Sequence, residues 1–244
     1  SFATNSGERL SIDSNGNATL NGISLGRGLG NVATNTVVGS NALDANTTGA
    51  NNVSIGDDSL SANTSGSRNT VVGSDAAQVN TTGNDNTSVG SAALGSNTSG
   101  SNNVAIGRVA LLSNTTASNN VAVGVSALQV NTTGTDNVAV GGFALDANTT
   151  GISNTAVGKA ALTNSTTANN NAAFGYHALN ANTTGTTNIA VGSSALVANT
   201  TGSSNIAIGA YALDANTTGG NNTAIGRSAL TNNTDGDSNV AVGR

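Results

Sequence analysis

The chain has 244 residues and a formal net charge of −5; it contains no Pro, Cys, Met or Trp, and only 8% of its residues are charged and 2% aromatic. That composition excludes a globular core built on large aromatic side chains, rules out disulfides and thiolate metal sites, and offers no basic surface for nucleic acid or an anionic membrane. The seven Lys and Arg residues are scattered, and no apolar run approaches the roughly 18 residues of a membrane span.

The first predicted elements are two short strands, Arg9–Ile12 and Ala18–Leu20, flanking the turn-forming run Ser14-Asn-Gly-Asn17. They read as a hairpin that caps the first coil of a repeat region. Residues 17–33 read as an irregular transition, because Gly26 and Gly39 lie only 13 apart. Residues 1–34 are therefore expected to form a connector, and residues 35–244 a different structure. There a 17-residue unit repeats without insertion or deletion, and its marker glycine recurs from Gly39 through Gly56, Gly73 and onward to Gly243. Strict spacing means that each unit repeats the contacts of the last, as in a stacked solenoid.

With the marker glycine as position 0, position −4 is Asn in all thirteen cases, from Asn35 to Asn239. Positions −3 and −1 are almost always β-branched, and a small residue, usually Ala, separates them. Runs such as Val121-Ala-Val123 between Asn120 and Gly124 predict a short strand, since β-branched side chains suit a pleated surface and glycines break a helix. Position +4 is Leu in eleven of twelve units (Ala77 is the exception), which predicts a second short strand pointing its Leu inward. The subsequent Asn-Thr-Thr-Gly predicts a turn. The fold expected is all-β, a parallel β-solenoid of about twelve 17-residue coils.

Period-2 alternation places the β-branched pair on one face of the strand and the small residue on the other. Assigning the larger side chains to the interior leaves a column from Ala105 to Ala224 facing elsewhere. Such a column fits a second buried surface, most simply a threefold axis shared by three chains. The alternative is a column of methyl groups exposed at little cost.

Segments such as Asn103-Val-Ala-Ile-Gly107 and Asn205-Ile-Ala-Ile-Gly209 resemble the S-V-A-I-G-x-x-A-x-A-x-G repeat of YadA-type trimeric autotransporter adhesin heads. The resemblance implies a left-handed β-roll assembled as a homotrimer. The unit here is longer by about three residues, in the segment around Leu-x-x-Asn-Thr-Thr, which implies a longer outer turn. The segment Gly7-Glu-Arg-Leu-Ser-Ile-Asp-Ser-Asn-Gly16 resembles one found in bacteriophage tail fibres, which also carry N-T-A-V-G-x-x-A-L-x-x-N-T-T-G repeats. Together these imply a structural or adhesive segment of an extracellular trimeric fibre, a phage tail-fibre shaft or head engaged in host attachment. A bacterial surface adhesin head and a monomeric solenoid binding ice or glycan through its Thr and Asn ladders are the alternatives. The chain starts at Ser1 and stops inside a repeat at Arg244, which reads as a piece of a longer polypeptide.

Catalytic constellations are absent from the pattern. The one histidine, His177, sits at a variable position and reads as an outward side chain rather than a general base. Glycan hydrolysis would require two carboxylates about 5 to 9 Å apart. Glu8 is the only glutamate, Asp57-Asp58 and Asp235/Asp237 lie in turns, and Asp44, Asp146 and Asp214 share position +5 in distant units. Neither the EF-hand nor the nonapeptide calcium spacing occurs. No enzyme activity, cofactor or metal is expected. The N-T-T turns from Asn46 onward fit the glycosylation sequon, but stacked Asn and Thr side chains bonding one another account for them structurally. The unbroken Thr at position +8, from Thr47 to Thr234, supplies the ladder on which the ice reading rests. Recognition, whether of a host cell-surface glycan or a protein, is expected from the variable residues: Arg108, Phe143, Tyr176, His177, Tyr211 and Arg227.

Overall fold

The computed structural model describes residues 2–3, 9–12, 17–21 and 23–244. Glu8 and residues 14–16, where a turn was expected, lie outside the described residues. The chain is all-β and divides into two compact units, Ser1–Ser118 and Asn119–Arg244.

In the first unit, β1 (Phe2–Ala3), β2 (Arg9–Ile12), β3 (Ala18–Leu20) and β4 (Ile23–Gly26) pair antiparallel in succession. The segment expected to be an irregular transition therefore holds a second hairpin, β3–β4. Its signal is Asn21-Gly22, a dipeptide suited to a two-residue turn, and Asn21 has φ 51°. A short 3-10 turn, Leu29–Asn31, precedes β5 (Thr36–Gly39). Strand β5 is where the topology changes. It pairs antiparallel with β4 (Leu25 opposite Val38) and parallel with β6 (Val53–Ile55). Strands β7 (Thr70–Val72), β8 (Thr87–Val89) and β9 (Val104–Ile106) then stack in parallel, each 17 residues on.

The second unit repeats this stack in eight strands: β10 (Val121–Val123), β11 (Val138–Val140), β12 (Thr155–Val157), β13 (Ala172–Phe174), β14 (Ile189–Val191), β15 (Ile206–Ile208), β16 (Thr223–Ile225) and β17 (Val240–Val242). Its register is again a constant 17, as in Ala139 opposite Ala156. The parallel β-solenoid read from the repeat is thus the observed fold.

Each coil has one strand, not the two expected. The Leu segment is a run of turn, because Ser126 and Leu128 hold φ of 56° and 52°, with equivalents in the other coils. Left-handed residues spaced two apart turn successive peptides in opposite directions along the stack. The Leu128 N–H donates forward to Ala144 O at 3.0 Å, whereas the Phe143 N–H donates back to Val125 O at 3.0 Å. Each left-handed residue costs about 1–2 kcal/mol of backbone strain. Burying each Leu, which offsets that strain, contributes roughly 1.5–3 kcal/mol. The marker glycine is obligatory for a different reason. Gly124 has φ +135°, and a Cβ there would lie 2.6 Å from the Gly141 carbonyl carbon.

The strand faces are the reverse of the expectation. The Ala column is the interior: Ala105, Ala122, Ala139, Ala156, Ala173, Ala190, Ala207 and Ala224 are all fully buried. The flanking Val and Ile side chains point outward and are half-buried or exposed. The reason is the narrowness of a 17-residue coil. Ser88 on the strand reaches across to the Ala93 carbonyl at 2.7 Å, and Ser54 Oγ meets Ser59 Oγ at 2.6 Å. With Leu at +4 filling the opposite wall, a small inward side chain completes the interior in most coils.

Two columns of buried Asn close each coil. Asn137 Nδ2 and Asn148 Nδ2 both donate to the Gly151 carbonyl, at 2.8 and 3.1 Å. Along the stack the carboxamides also bond their counterparts, as Asn80 Nδ2 does to Asn63 Oδ1 at 3.0 Å, except where Ser165 interrupts the column. Polar groups inside so thin a coil are tolerable because they satisfy one another.

Candidate functional surface

The outward surface has three distinct strips. The first is the Val/Ile face of the strands, which sequence reasoning assigned to the interior. Ile106 is 39% exposed in the first unit, and Ile189 is 40% and Phe174 41% exposed in the second. The −1 side chains of this face, Val or Ile in every coil but that of Phe174, recur from strand to strand rather than standing singly. The alternation was visible in the sequence; side-chain size alone chose the wrong face.

The second strip is the pair of variable positions +1 and +2, directly after the marker glycine. All six expected recognition residues lie here. Arg108 stands in the first unit; Phe143, Tyr176, His177, Tyr211 and Arg227 stand in the second. Phe143, Tyr176 and Tyr211 are 45%, 53% and 44% exposed, and the two arginines are exposed as well. Position +2 carries Phe143, His177 and Tyr211 on every second coil, with Ala160 and Ser194 between them. The structure brings Tyr176 and His177 into ring contact, centroids 4.1 Å apart and planes inclined by 49°. Phe143 and Tyr211 stand two coils away from that pair on either side. Phe143 and Tyr211 hold the left-handed φ (59° and 61°) common to position +2, which other coils fill with Asn, Asp, Ser, Ala, Val or His.

The third strip is the Thr turn. At position +8 the hydroxyl is used internally: Thr98 Oγ1 donates to the Thr115 carbonyl at 3.0 Å, and Thr149 Oγ1 to Thr166 O at 3.0 Å. The +9 side chain, such as Thr82 or Thr150, is exposed, whereas the +8 Thr is half-buried in all but the first and last coils. One outward hydroxyl per coil gives a single file rather than the paired ladder on which an ice-binding plane would rely. The sequon asparagines Asn63, Asn80 and Asn97 are fully buried, and their Nδ2 atoms donate to a neighbouring Asn and to the turn backbone. No transferase can reach them in the folded chain.

The carboxylates hold the turns. Asp58 accepts from Asn41 Nδ2 at 3.1 Å, Asp237 from the Gly220 N–H at 2.6 Å, and Asp214 from Thr231 Oγ1. Asp85 makes a bidentate ion pair with Arg68 (2.6 and 2.8 Å) in the adjacent coil. The hydrogen bonds from Arg68 pull the Asp85 carboxyl below its ordinary value. Asp146 behaves oppositely, because burial pushes its carboxyl up. Among the described residues no three His, Cys, Asp or Glu side chains gather as a metal site, and no helix is long and apolar enough to cross a membrane. A cavity of about 240 Å³ lies in the first unit, lined by Asn17, Thr19, Ser24, Leu29, Asn41 and Asp44. No protein-family model, curated protein or solved structure matches the chain.

Proposed function

We propose that this chain is a structural and adhesive segment of an extracellular trimeric fibre of the phage tail-fibre kind. Three copies share the Val/Ile face, and the variable strip meets the host surface. The observation that carries the reading is the β-branched face itself. The coils fill their interiors largely with Ala, Leu and Asn, yet place a Val, Ile or Phe at −1 and a Val, Ile, Thr or Ala at −3 outside. A second and third copy of the chain supply the same largely apolar face in the same 17-residue register, a match suited to packing around a threefold axis. The aromatic and Arg side chains at +1 and +2 suit contact with a partner surface.

Light scattering behind size exclusion tests the assembly. The expected mass is about three times the 23.4 kDa of one chain. The double variant Ile189→Lys, Ile208→Lys charges only exposed positions and is expected to run as a monomer with an unchanged circular dichroism spectrum. A monomeric parent chain would refute the shared face. Recognition is tested separately: removing the rings of Phe143, Tyr176 and Tyr211 together should abolish adsorption of labelled protein to host cells, and unchanged adsorption would refute that role.

A further inference from the structure

We infer that the interior of the second unit holds one buried water molecule at Ser165, where it replaces a missing asparagine carboxamide. Position +7 is Asn in every other coil of this unit: Asn131, Asn148, Asn182, Asn199, Asn216 and Asn233. In the regular stack each Nδ2 donates both to the preceding Asn Oδ1 and to the carbonyl at position +10. Asn199 does so at 2.9 and 2.9 Å, and Asn216 at 2.9 and 3.0 Å. Ser165 is fully buried at the same place but is too short to continue the ladder. Two polar atoms are consequently orphaned, Asn148 Oδ1 below it and Ser165 Oγ itself. On the next coil Asn182 keeps its standard orientation, donating to the Gly185 carbonyl at 2.9 Å, so its second N–H still aims at the position that a carboxamide oxygen would fill. The Ala168 carbonyl receives Asn154 Nδ2 at 2.8 Å but not the second bond that its equivalent Gly151 receives.

The chemistry of these partners selects the occupant. Asn148 Oδ1 and the Ala168 carbonyl accept, whereas the Asn182 N–H donates and Ser165 Oγ can do either. A cation would face the Asn182 N–H, and an anion would face two carbonyl oxygens. A water molecule matches the whole set. It donates to Asn148 Oδ1 and Ala168 O, and accepts from Asn182 Nδ2 and Ser165 Oγ, within the two to four partners typical of buried water. Exchanging Asn for Ser frees space close to the roughly 30 Å³ that one water occupies in the liquid.

A crystal structure of the chain beside that of Ser165→Asn tests the site. The substitution installs the residue found in the neighbouring coils, so it should fold. The parent should show a water peak within hydrogen-bond distance of Asn148 Oδ1 and Ser165 Oγ. The variant should show the introduced carboxamide in that place with the peak gone, and should melt a few degrees higher. In solution, the Asn182 side-chain amide of the parent alone should show magnetisation exchange with a long-lived water. A dry site, a Ser165 hydroxyl turned onto a protein partner, or a peak that persists in Ser165→Asn would overturn the assignment.

Discussion

The two units share a backbone plan but differ in how they fill it. In Ser1–Ser118 the inward strand position reads Val37, Ser54, Val71, Ser88 and Ala105, whereas in Asn119–Arg244 it is Ala in every coil from Ala122 to Ala241. Two of these changes are matched by a change on the facing wall. Val71, larger than Ala, shares its cluster with Ala77, the one coil in which Leu is lost at +4. Ser54 meets Ser59, the one coil in which Ala is lost at +3. In those two coils the facing walls trade volume or polarity together, whereas Val37 is buried beside an unchanged Leu43. The regular unit carries one departure with no such match, Ser165.

The largest effect is expected at the Leu column, which both units share. Leu128 is fully buried, and Leu128→Asp places an uncompensated charge inside a coil. The expected loss is about 4 kcal/mol or more, read as a collapse of the cooperative melt. A melt like that of the parent chain would place Leu128 outside the core.

The matched pair in the first unit sharpens the same point. Val71→Ala leaves a cavity, and Ala77→Leu overpacks by about 1–3 kcal/mol. The double variant restores the Ala/Leu pairing of the regular coils. It should therefore be more stable than the sum of the two single losses predicts, with a coupling of about 1 kcal/mol or more in denaturant unfolding. Simple additivity would show that the two walls do not compensate.

The smallest expected effect concerns Asp146. Burial raises its carboxyl in the folded chain above its unfolded value, so the folded state holds the proton more tightly. Its favourable contribution is complete below the unfolded pKa and is lost as pH rises through the folded pKa. Asp146→Asn should therefore melt slightly above the parent at neutral pH and converge with it in acid. A difference that grows toward low pH would reverse the assignment. The exposed Arg68–Asp85 pair has the opposite sign, its contribution fading as pH falls through the lowered Asp85 value.

Much of this architecture was legible in the sequence. A fixed 17-residue period with Asn-Val-Ala-Val-Gly at its heart dictated parallel strands in constant register, and Leu128 and its equivalents were recognisable as core. The orientation of the strand was not legible, because alternation identifies two faces without saying which is inside. That choice depends on the width of the coil, which is set by the left-handed residues at +2 and +4. Leu at φ 52° has no sequence signature of its own, so the Leu segment read as a strand. The second hairpin was legible in Asn21-Gly22. The break at Ser165 was equally visible as the one non-Asn at +7, but its meaning required knowing that the column is buried. The aromatic strip was named from residue type alone, and the structure adds its two-coil spacing.

The inversion of the strand faces is the central claim, and a chain without native cysteine allows a direct measurement. Ala139→Cys, Val140→Cys and Thr133→Cys, each placed in the monomeric Ile189→Lys, Ile208→Lys background, would be compared for their rate of reaction with a thiol reagent under native conditions. The predicted order is Thr133→Cys fastest, Val140→Cys slower, and Ala139→Cys silent until the chain unfolds. Native reactivity at Ala139→Cys with protection at Val140→Cys would contradict the inward Ala column and the outward face on which the proposed assembly depends.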